Sequence, residues 1–419
     1  MSSIRKDHLR IVYVTDNFDA DNNGTTISVR RFVETLRSFG HEVRVVSNGR
    51  EEPDKYVVPS YTKGFIPWYV KRECMVFAKP DKEVIRKAFE GADVIYFQLP
   101  FILGLTALKI ANEMHIPVTA GFHCQPENIT FNIGLGWCTP LSELIYELFK
   151  NMFYKKIGHI HCPTQFLADE LKRHHYKGQT HVISNGSYMK KYHPMNIERD
   201  PQLQGKFVIL MSGRLSTEKR QDLLIHAVEK SKYKNQIQII LAGMGPLQSR
   251  YEKMSANLPN KPIIRLFSQE ELVYTINMCD LYVHGADAEI ESISCIEAFS
   301  CGLVPVIANA KKSATKQFAL CEYNTFKGGN VDELVERIEF WMEHEELRKE
   351  YSAKYVEFAK EFDIVTCGHK MENMFYEAMD DYYQMNPEYI QNNISIPQTN
   401  EVKQPIEEGS PLQVLLLSS

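Results

Sequence analysis

Several things are missing from this chain, and each absence narrows what it can be. Its nine cysteines are scattered, with no C-x-x-C pair and no regular spacing. That argues for a reducing cytosol and against a secreted disulfide framework. No apolar run approaches the ~18 residues of a membrane span. MSSIRKDHLR leads into a strand without the apolar core of a signal peptide. The expected location is therefore cytoplasmic, with any membrane contact peripheral. A net charge of -5 leaves no basic footprint of the kind nucleic-acid binding needs. No G-x-G-x-x-G occurs after the first strand, so a dinucleotide site is not indicated. No Gly/Ser-rich tether separates the halves, which points to a short hinge.

What is present describes a globular α/β protein. At 419 residues, 44% hydrophobic and 24% charged, the chain suits two domains of ordinary size. Apolar runs of buried-strand type alternate with amphipathic helices. IVYVT (11–15), a helix over 27–39 and EVRVVS make a first βαβ unit. DVIYFQ, a helix over 105–114 and IPVTAGFHC continue the rhythm. FVILMS, QIQIILAG, IIRLF, LYVH and VPVIAN repeat it in the second half, with a hinge near residue 195. A helix over 331–344 and another over 363–379 close the folded part. From about Asn386 the chain lacks hydrophobic periodicity and reads as a disordered tail. The terminal LQVLLL is too short to span a bilayer.

Chemistry concentrates between Val283 and Ile307, in VHGADAEIESISCIEAFSCGLVPVI. Glu289 lies in the loop after a strand, where open α/β sheets bind ligands. Ser292 is placed to N-cap a short helix, whose first amides favour an anion. Glu297 follows about a turn inside. Two carboxylates with seven residues between them can each hold a diol; alternatively they are a solvated acidic loop and a helix-surface glutamate. Arg214 and Lys219, in GRLSTEK, supply cations in the same half. His123 ends the strand IPVTAGFH, and Gly24 precedes the first helix, allowing close backbone approach.

Other features carry less. Asp19 and Asp21 form a D-x-D, more simply read as polar loop than as a metal site, with Asn22 and Asn23 as turn residues. His159 and His161 share a strand face while Cys162 points away, leaving two metal ligands and no evident third or fourth. Residues 61–80 interleave Trp68, Tyr69 and Phe77 with Lys63, Lys71, Arg72 and Lys79. They suit a lipid interface, or more simply a crossover with aromatics in the core. The helix over 141–154 is strongly apolar, and reads as core rather than as an acceptor or membrane face.

AEIESISCIEAFSCGLVPVIA resembles the E-x7-E signature of glycosyltransferase family 4, retaining enzymes of the GT-B fold. GRLSTEK resembles the same family's diphosphate site, GHEV (40–43) its first strand entry, and HVISNG its segment before the hinge. The likeness covers residues 10–380. It implies two Rossmann-like domains facing across a cleft: an acceptor side over 1–195, a nucleotide-sugar side over 196–362, and a helix over 363–384 crossing back, with 385–419 as tail. It implies that Glu289 meets the donor sugar, Glu297 the ribose, and Arg214 and Lys219 the leaving diphosphate. His123 would lie beside the transferred sugar, with Gly24 and Ser292 at the substrate.

The family often has Gly-Phe-Gly after the first acid, where this chain has Ile290, Glu291 and Ser292. The aspartate usual after the asparagine-glycine pair is also absent, Ser187 and Tyr188 standing there. With cations and helix amides neutralising the diphosphate, neither metal nor cofactor is expected. DNFDADNNGTTISVRRF and FQLPFILGLTALKIA lean towards bacterial enzymes that glycosylate diacylglycerol. The expected function is hexose transfer from a nucleotide sugar to a lipid or glycan, at the inner face of the plasma membrane if membrane-bound. The alternatives are a catalytically silent sugar-nucleotide-binding scaffold and a phosphorylase-like enzyme. Paired carboxylates also serve hydrolysis, but a hydrolase has no use for a diphosphate clamp.

Overall fold

The computed structural model describes residues 6–19, 24–61 and 76–389. Two parallel sheets dominate it. The first takes β1 (Arg10–Val14), β2 (Glu42–Ser47), β3 (Lys55–Val57), β4 (Val94–Phe97), β5 (Val118–Gly121), β6 (His159–Cys162) and β7 (Gln179–Val182) in the order β3-β2-β1-β4-β5-β6-β7. The second takes β8 (Phe207–Ser212), β9 (Ile237–Ala242), β10 (Ile263–Arg265), β11 (Leu281–His284), β13 (Pro305–Asn309) and β15 (Thr325–Lys327) in the order β10-β9-β8-β11-β13-β15. A small ribbon pairs β12 (Ala288–Glu289) with β14 (Lys312–Ser313).

Each order reverses direction once, between β1 and β4 and between β8 and β11. Ligands of doubly wound sheets bind in the crevice outside such a reversal. β8 and β11 are the strands that lead into GRLSTEK and into the Glu289 loop, so the topology aims both motifs at one crevice. The central strands read as unbroken apolar runs because helices cover both faces; Leu281 to His284 are all buried. Tight glycine packing holds the two loops. A Cβ at Gly243 would lie 2.0 Å from the Gly213 carbonyl oxygen, and one at Gly245 2.3 Å from that of Leu215. The backbone after β9 therefore rests directly on the GRL turn.

The second half has one core, and the first has one on each face of its sheet. The last long helix, Ile364–Met385, packs on the first helix, Gly24–Ser38: Met371, Phe375 and Met379 share a core with Val29, Phe32 and Leu36. It is longer than its sequence pattern shows, because Tyr382 and Tyr383 continue the apolar face. The helix Thr139–Met152 departs from a core reading. It buries Ser142 and Tyr146 while Leu144, Leu148 and Met152 are 54%, 46% and 54% exposed. Asp21, Asn22, Asn23, the interface candidates Lys63, Trp68, Tyr69, Lys71 and Arg72, and the tail from 390 lie outside the described residues. Asp19 is engaged by Lys55 Nζ at 2.5 Å and by the Arg50 amide at 2.6 Å. Phe77 packs edge-on against Phe101.

Candidate active site

The crevice at the β8/β11 reversal brings four of the sequence-selected residues together. Lys219, in a short helical turn after β8, donates to the Glu289 carboxylate in β12. Burial opposes charge on Lys219, yet the contact with Glu289 raises its proton affinity above the ordinary lysine value. Glu289 is likewise opposed by burial, and Lys219 and His284 still hold its carboxyl down at about 2. Arg214 stands close enough to Lys219 for its charge to act against that lysine's proton. His284, fully buried at the end of β11, brings Nε2 to 3.5 Å from Glu289 Oε2. Burial lowers its pKa, against the Glu289 carboxylate, which favours the charged ring.

Ser292 caps the helix Ile293–Ser300 by accepting from the Cys295 amide at 3.3 Å. Its backbone, however, is left-handed, at φ 74°. This is where the resembled family often carries its second glycine, and the conformation explains why. A serine there costs about 1–2 kcal/mol in backbone strain, partly returned by the cap. Ser294, one residue into the helix, donates to the Ser212 carbonyl at 3.2 Å and meets the Tyr282 hydroxyl at 3.0 Å. The helix start is thus fixed against the end of β8.

Glu297 is not open to solvent. Its Oε1 accepts from Arg31 Nη2 at 2.5 Å, and Arg31 Nη1 donates to the Gly186 carbonyl at 2.7 Å. The two side chains are 5% and 9% exposed. Arg31 belongs to the first helix, so the carboxylate expected at the ribose is held by the opposite half. Gly24 opens that helix, and among the described residues no atom beyond its chain neighbours lies within 4 Å of where its Cβ would stand.

The two halves meet at further points around the same crevice. Gln125 Nε2 donates to the Lys312 carbonyl at 3.0 Å, Lys312 Nζ to the Gly136 carbonyl at 3.3 Å, and Thr164 to the Ile290 carbonyl at 3.1 Å. Glu291 turns to the hinge, where its Oε2 accepts from the Asn185 amide at 3.0 Å and the Asn185 side chain at 2.8 Å.

His123 lies on the first half, two residues past β5, and is 7% exposed. Its environment fixes its tautomer. His161 Nε2 is 2.6 Å from the Ile183 carbonyl and must donate, so its Nδ1 accepts the Tyr96 hydroxyl proton at 2.9 Å. The Tyr96 oxygen then accepts from His123 Nε2–H at 2.8 Å. Nδ1 is left as the acceptor of the His123 ring. Burial, and secondarily His161, push its pKa far below the usual histidine value, so it offers a lone pair rather than a proton. Gly121 makes room for this chain. A Cβ there would sit 2.2 Å from both the Tyr96 oxygen and His123 Cδ2.

Sequence reading did not select Arg31, Tyr96, His161, His284 or Glu291 for the site. The last offers a direct test. Burial drives the Glu291 carboxyl up to about 7, against the hydrogen bonds from Ser184 and Asn185 that favour its charge. A raised folded value means the folded protein holds a proton that the unfolded chain has released. Stability therefore falls as pH rises from about 4.5 to 7, by about 3 kcal/mol in all. Glu291→Gln removes this loss: urea midpoints of variant and wild type should agree near pH 5 and separate, with the variant more stable, near pH 8. Parallel midpoints at both pH values would show that Glu291 does not titrate in this range.

Comparison with known proteins falls on the same two halves. The profile described as Glycosyltransferase Family 4 matches residues 22–187, and that described as Glycosyl transferases group 1 matches 196–357. The alpha-monoglucosyldiacylglycerol synthase of Streptococcus pneumoniae is 23% identical over 72% of this chain and 71% of its own. The catalytic domain of cholesterol-alpha-glucosyltransferase from Helicobacter pylori is 40% identical, over 36% of this chain and 97% of that one, with a TM-score of 0.34. HepE of Anabaena, solved with UDP and glucose, superposes with a TM-score of 0.67 over 88% of this chain and 100% of that one at 18% identity.

Proposed function

The chain belongs to glycosyltransferase family 4 and has the GT-B fold, and from that premise we propose that it moves a hexose from a nucleotide diphosphate sugar to a lipid acceptor with retention of anomeric configuration. The observation that carries this reading is the meeting of Lys219 and Glu289 at the β8/β11 reversal. A sugar held by Glu289 would have its anomeric phosphate beside Lys219 and Arg214. Departure of the nucleotide builds negative charge there. A cation ~4 Å away is worth about 4 kcal/mol at an effective dielectric near ~20, whereas a helix N-terminus supplies roughly 0.3–1 kcal/mol in exposed settings. The cations dominate, and the helix at Ile293 assists.

The reaction we propose needs no metal. The acceptor oxygen attacks the anomeric carbon on the face that the diphosphate leaves, and the departing phosphate oxygen takes the acceptor proton. Glu297 binds the ribose hydroxyls, and His123 accepts a hydrogen bond from the transferred sugar through Nδ1. The acceptor side is the first half, residues 1–195, and the nucleotide-sugar side is 196–362.

The exposed stripe Leu144, Leu148 and Met152 lies one turn apart on one helix face, close in sequence to Trp137, 78% exposed, and to the exposed Lys155 and Lys156. Apolar side chains flanked by cations suit an anionic bilayer, and the pneumococcal relative's name records a diacylglycerol product. No described helix is long and apolar enough to cross a membrane. Contact at the surface, with acceptor drawn from the bilayer, fits both facts.

The test is thermal-shift screening of UDP-glucose, UDP-galactose, GDP-mannose and UDP-N-acetylglucosamine, followed by transfer assays. One donor should stabilise the protein by ligand linkage. Transfer should follow to one of diacylglycerol, monoglucosyldiacylglycerol, a sterol or a soluble glycan, in the presence of EDTA. Donor binding without transfer to any of them would favour the silent scaffold. Leu144→Glu with Leu148→Glu should weaken co-sedimentation with anionic vesicles about tenfold or more, since each partly exposed leucine contributes about 1 kcal/mol on burial. Unchanged sedimentation would remove this face from the proposal.

A further inference from the structure

Away from the crevice, the far end of the first sheet carries side chains with no part in glycosyl transfer. His159 on β6 and His181 on β7 bring Nδ1 and Nε2 within 2.9 Å of each other. Glu377, on the last long helix, joins them: one ligand-type atom from each residue lies within 4.8 Å of the others. Asp381, one turn further along that helix, accepts from His159 Nε2 at 3.1 Å. Gln179, also on β7, donates to Glu377 Oε2 at 3.0 Å. Three separate elements thus converge on one point.

We propose that His159, His181 and Glu377 bind a single divalent transition-metal ion, with Asp381 as the group that orients His159. Two imidazoles and a carboxylate suit zinc, nickel or copper rather than magnesium or calcium. Ligands about 2.0–2.1 Å from tetrahedral zinc stand about 3.3 Å apart, so the two ring nitrogens need separate by only a few tenths of an ångström. The second carboxylate is the more telling feature. A metal-binding imidazole commonly donates its other N–H to a carboxylate, which sets its tautomer and raises its basicity. Asp381 accepts this hydrogen bond from His159 Nε2, leaving Nδ1 as the ligand atom. Without metal, His181 Nε2–H occupies that lone pair; metal binding takes the other neutral tautomer of His181, with its proton carried on Nδ1 and Nε2 free to ligate, and no net proton is released.

Sequence spacing showed two histidines on one strand and no further ligand. The fold changes the set: His161 is taken by Tyr96 and Ile183, and His181 and Glu377 enter from 22 and 218 residues away in the chain. Bound metal would fasten the last helix to the edge of the first sheet. That helix comes from the second half, so the site would stiffen one of the links between them.

The experiment is titration of full-length, tag-free protein with zinc chloride, followed by calorimetry and thermal melting. Wild type is expected to take up one equivalent with Kd below about 10 µM and to melt higher when saturated. Asp381→Asn is expected to weaken binding about 10–100-fold, and His181→Asn with Glu377→Gln to abolish the saturable step. The acidic side chains lie on the surface, so melting without zinc should be unchanged in Asp381→Asn. A wild-type Kd weaker than that bound, or equal uptake by the double variant, overturns the proposal. Neither readout depends on glycosyl transfer.

Discussion

Lys219→Met is expected to lower the transfer rate by about three orders of magnitude, the equivalent of about 4 kcal/mol of lost charge stabilisation. Loss of activity alone would be ambiguous, because Lys219 also neutralises Glu289 in the folded protein. Their side chains are 21% and 13% exposed. Removing the cation leaves a carboxylate largely cut off from water, at a cost of about 2–3 kcal/mol once the water reaching Lys219 is allowed for. Charge pairing and catalysis separate in the double variant Lys219→Met/Glu289→Gln. It has no buried unpaired charge, so its urea midpoint should return most of the way to wild type. Its transfer rate should not. If Lys219→Met keeps activity within about threefold of wild type, the clamp is not electrostatic and the proposed reaction loses its main term. The pair also has an acid limit. Glu289 has a folded value far below its unfolded one, so its contribution is present above about pH 4.5 and is lost as pH falls towards 2.

The residues of this clamp could be read from sequence because each sits in a short local pattern. Strand, loop, cap and helix succeed one another between Leu281 and Ser300, and the observed elements follow the apolar periodicity closely. EVRVVS and FVILMS coincide with β2 and β8 for the same reason. What could not be read depends on contacts distant in the chain. Arg31 is one of several cations on an amphipathic helix, and nothing local says it will be buried. Glu291 reads as one more acid in an acidic loop, and only the approach of Asn185 across the hinge encloses it. Tyr96 and His161 look like ordinary strand residues until three adjacent strands are laid side by side. The helix Thr139–Met152 failed differently. It is apolar on more than one face, so its sequence does not say which face is buried; Tyr146 stacks between Phe122 and His174, leaving the Leu144 face outside.

Arg31→Met is expected to destabilise the protein by about 3–5 kcal/mol, the cost of leaving a buried carboxylate unpaired. Both members of this pair are more deeply buried than those of the clamp, and Arg31 makes a second hydrogen bond to Gly186 at the hinge. Its guanidinium also lies 5.5 Å from the centre of the Tyr188 ring. Glu297→Gln in the same chain removes the stranded charge, so the double variant should recover much of the loss. A coupling energy near zero in that cycle would mean the pair is solvated in solution. The same variants bear on donor binding. Arg31 comes from the first half and Glu297 from the second, so their contact requires the halves to be together. A donor whose ribose engages Glu297 would bind to a carboxylate already oriented by Arg31. Arg31→Met/Glu297→Gln should then bind the donor about tenfold or more weakly, a loss of about 1.4 kcal/mol. Glu297→Gln alone should lose affinity similarly, while Arg31→Met, with the carboxylate intact but unfixed, should lose less. If donor affinity is indifferent to all three, Glu297 serves only to close the two halves, and the ribose must be held elsewhere.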